Sequence, residues 1–203
     1  MQQLILGTRG SKLAVAQSSW VAKQIERETG VPVTLKIIKT RGDLILDKPL
    51  AEIGGKGLFT YELEQELLHC TIDFAVHSCK DLPTEHPEGL DIVCYPKRED
   101  PRDALVGVEL RSGLVVGTGS ARRQAQIKLL ETIEFKGIRG NVDTRIRKME
   151  NGEYDAVVLA MAGLNRIDIQ RDDIYPLSVQ QCVPAPAQGA LALQAKSDRT
   201  EVI

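Results

Sequence analysis

The sequence predicts a two-domain α/β protein, and three observations carry that prediction. Apolar runs of strand length alternate with amphipathic helical patterns along almost the whole chain, as expected of a sheet with helices on both faces. A charged, proline-broken stretch, KREDPRDALVG at 97–107, interrupts the alternation and reads as a hinge. The same strand-to-helix junction also occurs on each side of it, as LGTRGS at 6–11 and VGTGS at 116–120. Two domains with a cleft between them follow from this pattern, with a single larger α/β domain as the alternative.

Each element has a local justification. LILGT at 4–8 reads as a buried strand. From Ser11 to Arg27 a helix is expected, with Leu13, Ala16, Trp20, Val21 and Ile25 on one face, Ser11 as N-cap and Gly30 as the stop. VTLKIIKT at 33–40 is a second strand, LFTYELEQELL at 58–68 a helix, and DFAVHS at 73–78 a third strand. Beyond the hinge, GLVVGT at 113–118 is a strand and SARRQAQIKLL at 120–130 a helix opened by Ser120. IEFKGI at 133–138 is a strand, 141–152 a helix capped by Asn141 and ended by Gly152, and DAVVLAMAGL at 155–164 begins as a strand.

Composition narrows the function classes. Of the 203 residues, 42% are hydrophobic, 27% charged and 4% aromatic, and the net charge is −2. That balance provides neither the basic surplus nor the stacking aromatics of a nucleic-acid binder. The first residues hold only a three-residue apolar run, LIL, so neither a leader nor a membrane anchor is expected, and the location is expected to be cytoplasmic. Cys70, Cys79, Cys94 and Cys182 form no CxxC pair and no metal-ligand spacing, so no metal is expected.

The chemistry concentrates in three segments. At 115–126, VVGTGSARRQAQ places a glycine loop, a helix start and two arginines together, a pattern suited to an anion. Arg139 precedes the next helix, Arg145 and Arg147 lie within it, and Arg166 follows the strand after that. Residues 117–166 hold nine Lys/Arg against six Asp/Glu in a chain that is negative overall. Ligands of such sheets bind beyond the carboxyl ends of the strands. Arg9, Arg122, Arg123, Arg139 and Arg166 all sit there, which fits a ligand with several carboxylates; a solvated helix face is the competing reading of the Arg pair. AVHSCKDLP at 75–83 ends a strand in His77, Ser78, Lys80 and Asp81. Asp81 could stabilise a cation or move a proton, or simply cap the turn before Pro83, whereas His77 reads as a packing residue rather than a base. LAEIGGKGLF at 50–59 sets Lys56 among glycines, equally a lid or a surface loop.

Together with KTRGD, IRGNVDTR, GEYDAVVLAMAGL and PAPAQGALAL, these segments make the chain resemble the porphobilinogen deaminase (hydroxymethylbilane synthase) family over nearly its whole length. The resemblance implies two α/β domains of the type II periplasmic-binding-protein kind. Domain 1 would comprise 1–96 plus 191–203, with the catalytic aspartate and the lid, and domain 2 would comprise 97–190, with the arginines. The implied activity is a transferase of tetrapyrrole (haem and porphyrin) biosynthesis that joins four porphobilinogen molecules head to tail with release of ammonia. By the same resemblance Asp81 and Lys80 are catalytic. Arg9, Ser11, Lys56, Ser78, Thr118, Ser120, Arg122, Arg123, Arg139, Gly140, Arg145, Arg166 and Gln188 bind substrate or cofactor. The implied cofactor is dipyrromethane, and the implied partners are porphobilinogen and oligopyrroles, with no nucleic acid or membrane, acting on a monomer. The family's third α+β domain, whose cysteine anchors the cofactor, would begin where this sequence stops at Ile203, so the chain is expected to lack it and to need that domain from elsewhere. None of the four cysteines lies in a matching motif, and attachment to this chain is not expected. Three positions differ from the family habit: Gly119 for serine, Glu52 for lysine, and Gln194 for a glutamate. A non-catalytic polycarboxylate or oligopyrrole binder is the alternative reading.

Overall fold

The computed structural model describes residues 3–44 and 57–199. The chain divides into two compact units, residues 1–98 with 190–203 and residues 99–189. Among the described residues, each unit is built on one five-stranded sheet.

The first unit contains β1 (Leu4–Arg9), α1 (Lys12–Thr29), β2 (Val33–Ile38), α2 (Arg41–Leu44), α3 (Tyr61–Leu68), β3 (Phe74–Ser78), β4 (Leu90–Cys94) and β10 (Leu191–Lys196). Its strand order is β2-β1-β3-β10-β4. β1 runs parallel to β2, pairing Leu4 with Val33 and Arg9 with Ile38, and parallel to β3; β10 runs antiparallel to both β3 and β4. The central strand β3 is covered on both faces, which is why it begins as an unbroken apolar run, FAV. Phe74 and Val76 join Val21 and Ala22 of α1 in one core, while Ala75 joins Leu63 and Leu67 of α3 in another. Successive residues of one strand thus serve opposite faces.

The second unit contains β5 (Asp103–Val106), β6 (Val115–Gly117), α4 (Ala121–Ile127), β7 (Glu134–Lys136), α5 (Val142–Glu150), β8 (Ala156–Ala160), α6 (Met161–Arg166) and β9 (Ile174–Pro176). Its order is β7-β6-β8-β5-β9, with β6 parallel to β7 and β8, and β5 antiparallel to β8 and β9. The two sheets therefore share one topology, and β6 stands in the second where β1 stands in the first. Leu105, Val116 and Val158 pack with Ile127 of α4, and Ala104, Val106 and Val157 pack with Ile146 and Met149 of α5.

Several expectations change. The stretch 97–107 is not simply a hinge: Ala104, Leu105 and Val106 are fully buried in β5, an interior strand of its sheet. Pro101 lies just ahead of that strand, where it costs no ladder hydrogen bond, and the charge of Asp103 is compensated inside the protein, as described below. Trp20 is 42% exposed, and α1 buries Gln17, Ser18, Val21 and Ala22 instead. The inward face is turned because Gln17 is tied to Ser78, with its Nε2 3.2 Å from the hydroxyl. The helix expected at 120–130 ends at Ile127, and the apolar stretch 155–164 divides into β8 and α6. Strands β4, β5, β9 and β10 are additional to the elements read from sequence. The expected helix cap and stop are present, with Ser11 Oγ accepting from the Ala14 N–H at 3.3 Å and Gly30 at φ 71° closing α1.

Candidate functional site

In the second unit the site residues begin where β6 ends. Thr118 is fully buried, and its N–H donates to the Lys136 carbonyl at 3.0 Å. Its hydroxyl accepts from the Ser120 N–H at 3.2 Å, and Ser120 in turn caps α4 by accepting from the Arg123 N–H at 3.4 Å. Much of the N–H supply of this loop and short helix is therefore used internally.

The Arg122 and Arg123 side chains converge on one carboxylate, Asp103 at the start of β5. Arg122 Nη2 lies 2.6 Å from Oδ2, and Arg123 Nη2 and Nε lie 2.7 and 3.1 Å from Oδ1. Arg123 also donates from Nη1 to the Val158 carbonyl at 2.8 Å, and Arg122 donates to the Val183 carbonyl. Gln188 Nε2 bridges Asp103 Oδ1 and the Pro101 carbonyl, each at 2.8 Å, and the buried Cys182 thiol lies 3.5 Å from Oδ2. Burial alone would raise the Asp103 pKa, but the Arg123 charge and the hydrogen bonds from both arginines and Gln188 hold it below the usual carboxylate range.

Arg139, Gly140, Arg145 and Arg166 complete this group. Gly140 adopts φ +115°, and a Cβ there would come within 2.7 Å of Thr144 Cγ2, so glycine is required. Its carbonyl accepts from Arg145 Nε at 2.8 Å. Burial, followed by the like charges of Arg123 and Arg139, pushes the Arg145 guanidinium below its usual pKa. Among the described residues Arg145 makes no ion pair. Arg166 donates to the Gly189 carbonyl at 2.6 Å, and burial lowers its pKa while the Glu99 charge opposes that.

In the first unit, Arg9 at the end of β1 is paired with Asp43, with Nε 3.2 Å from Oδ2, and its guanidinium lies 4.1 Å from the centre of the Phe59 ring. Ser11 caps α1, and Ser78 ends β3 against Gln17. A 3₁₀ turn over Cys79–Asp81 then presents Lys80 and Asp81. It is anchored by the Cys79 N–H on the Ala190 carbonyl at 3.0 Å. Desolvation of the Asp81 carboxyl raises its pKa above the usual carboxylate value, and the Lys80 and Arg9 charges offset this only in part. The residue nevertheless stays accessible to solvent. His77 is buried, donates to Gln194 and has its pKa pushed down to about 4, chiefly by burial, which suits packing and not proton transfer. Lys56 and Glu52 lie outside the described residues. No group of three or more His, Cys, Asp or Glu among the described residues is arranged to hold a metal, and no described helix is long and apolar enough to cross a membrane.

The sequence reading missed the internal carboxylates. Asp103 lay in a stretch read as a hinge, although an acid followed directly by three apolar residues, DALV, was a visible signal. Asp43 gave no comparable signal, because its link to Arg9 joins residues 34 apart.

Comparison with known proteins bears on the fold and the family. Two solved structures match the fold at low identity. One is a periplasmic substrate-binding protein of an ABC transporter from Coxiella burnetii, with a TM-score of 0.56 at 10% identity over 98% of this chain and 88% of that one. The other is the second substrate-binding domain of a putative amino acid ABC transporter from Streptococcus pneumoniae, with a TM-score of 0.54 at 9% identity over 99% and 88%. The two sheets are thus of the type II periplasmic-binding-protein kind. The porphobilinogen deaminase of Lysinibacillus sphaericus is 47% identical over 213 residues, covering 100% of this chain and 68% of the relative. That of Bacillus subtilis is 45% identical over 213 residues with the same coverage, and that of Nitratidesulfovibrio vulgaris 47% over 211, covering 67% of the relative. The chain spans about two thirds of the length of these relatives. Residues 4–203 match the family model described as porphobilinogen deaminase, dipyromethane cofactor binding domain, and the chain belongs to the porphobilinogen deaminase family.

Proposed function

We propose that the protein acts as a hydroxymethylbilane synthase-type transferase, joining porphobilinogen units head to tail and releasing ammonia. One observation within the site carries this reading: the half-buried Arg145, its Nε fixed on the Gly140 carbonyl at 2.8 Å, lies near enough to Arg123 and Arg139 for their like charges to oppose its own. A carboxylate would relieve that opposition, and porphobilinogen and its oligomers carry an acetate and a propionate on every ring. Guanidinium forks match carboxylates in charge and shape. The donor set also fits dipyrromethane, which carries the same carboxylates, with Arg139, Arg145 and Arg166 as its holders. When bound, that group supplies the pyrrole carbon to which the first porphobilinogen is joined.

Asp81 is the residue for the chemical step. Departure of ammonia from the protonated aminomethyl group moves its positive charge onto the substrate pyrrole, and a carboxylate fixed beside the ring favours the charge there more than on the departing nitrogen. The Lys80 and Arg9 charges help keep Asp81 ionised against the burial that opposes it. The test is to incubate the protein with porphobilinogen and follow ammonia release together with intact mass. Ammonia release with pyrrole-sized mass additions is expected. An unchanged mass and no ammonia would reduce the protein to a polycarboxylate binder.

A further inference from the structure

We propose that Asp103 is a positioning residue that holds Arg122 and Arg123 in the orientation in which they receive a carboxylate; the ligand half of this proposal rests on the carboxylate-binding reading above. A buried carboxylate is costly unless its hydrogen-bonding capacity is met. Asp103 is fully buried, and its two oxygens are shared out between the arginines. Oδ1 takes Arg123 Nε and Nη2 together with Gln188 Nε2, and Oδ2 takes Arg122 Nη2 with the Cys182 thiol alongside. Each guanidinium is thereby given its own oxygen and its own direction.

The anchor itself is rigid. Asp103 pairs with Ala160 across the sheet, and its carbonyl accepts from the Leu177 N–H at 2.8 Å. The arginines, by contrast, open a helix of seven residues on long side chains that would otherwise sample many rotamers. With Val158 included, three N–H groups of Arg123 are engaged internally, out of the roughly five that a guanidinium offers. One carboxylate against two guanidiniums leaves the pair with net positive charge.

Charge and geometry make opposite predictions, which makes the proposal decidable. Asp103→Asn removes a negative charge beside an anion site, so charge alone predicts tighter binding. Loss of orientation predicts weaker binding. The experiment records Arg Nε–H exchange by ¹H–¹⁵N NMR in wild type and Asp103→Asn, and measures porphobilinogen affinity of both by calorimetry. Expected results are an Arg123 Nε–H that exchanges about tenfold faster in the variant and an affinity about tenfold weaker, with the fold retained. Unchanged Nε–H exchange, or affinity equal to or tighter than wild type, overturns the proposal. If wild type itself does not bind porphobilinogen, the carboxylate-binding reading fails, and the Nε–H comparison still decides whether Asp103 holds the pair. Should Asp103→Asn fail to fold, Arg123→Lys keeps the charge but loses the fork. Its affinity is expected to fall about tenfold, and undiminished affinity overturns the proposal.

Discussion

His77 donates its Nε2–H to Oε1 of Gln194 across 3.0 Å, with both side chains buried in the first unit. Burial pushes the imidazole pKa down from 6.5 to about 4; the charges of His86 and Arg9 add to this, and the Gln194 bond opposes it. The unfolded chain therefore binds a proton that the folded one refuses between these values, so stability rises with pH across that window. Acidification from pH 7 to pH 4 is expected to cost about 3 kcal/mol through this residue. Urea unfolding of wild type and His77→Gln across that range measures it. Parallel pH dependence in the two proteins would remove the assignment.

Replacing Arg145 should separate stability from binding. Its cation is disfavoured by burial and by Arg123 and Arg139, so Arg145→Met is expected to keep or raise the melting temperature. The same variant should weaken porphobilinogen binding by about 1.5–3 kcal/mol, the worth of a hydrogen bond to a charged group. A fall in melting temperature with affinity intact would make Arg145 a structural residue.

Asp81→Asn retains the size of the side chain and removes the charge that favours the developing cation. Porphobilinogen affinity should stay near that of wild type, while ammonia release falls about 10²–10³-fold. Equal rates in variant and wild type would exclude Asp81 from the chemical step.

The Arg9–Asp43 pair is partly exposed, with side chains 22% and 25% accessible, so its worth is modest. Thr40 donates to the same carboxylate at 2.8 Å. Asp43→Asn should cost about 1 kcal/mol once solvent screening is allowed for. Burial raises the Asp43 pKa, but the Arg9 and Thr40 bonds outweigh it and leave the pKa below 3.8. The pair's contribution is therefore present at neutral pH and fades as acid protonates the carboxylate. Chemical denaturation at pH 7 and pH 3 checks both statements, and a variant effect that grows toward pH 3 would contradict them.

What the sequence disclosed was what short stretches determine. Ser11, Gly30 and Ser120 act within three or four residues of themselves, so the ends of α1 and the start of α4 could be read directly. The arginines of the second unit were legible as a surplus of charge just past strand ends. Their internal partners were not, because Asp103 meets Arg122 and Arg123 across 19 and 20 residues and lies in a stretch whose charge suggested solvent. Trp20 was misplaced because periodicity weighs apolar character, whereas the helix is turned by a polar tie between Gln17 and Ser78. LALQAK at 191–196 has no neighbour in sequence that identifies it as a strand; only β3 and β4, far earlier in the chain, give it its place.

That last strand has a consequence for biosynthesis. Among the described residues β4 is held in its sheet only through β10, and β10 comes from residues 191–196. As the chain leaves the ribosome, β1, β2 and β3 can pair early, but β4 must wait with its hydrogen-bonding edges unmatched until nearly all of the chain shown has been translated. Every strand of the second sheet, by contrast, comes from the continuous stretch 99–189. The unit that begins first is thus the one completed last, and translation imposes an order of assembly opposite to the order of the sequence.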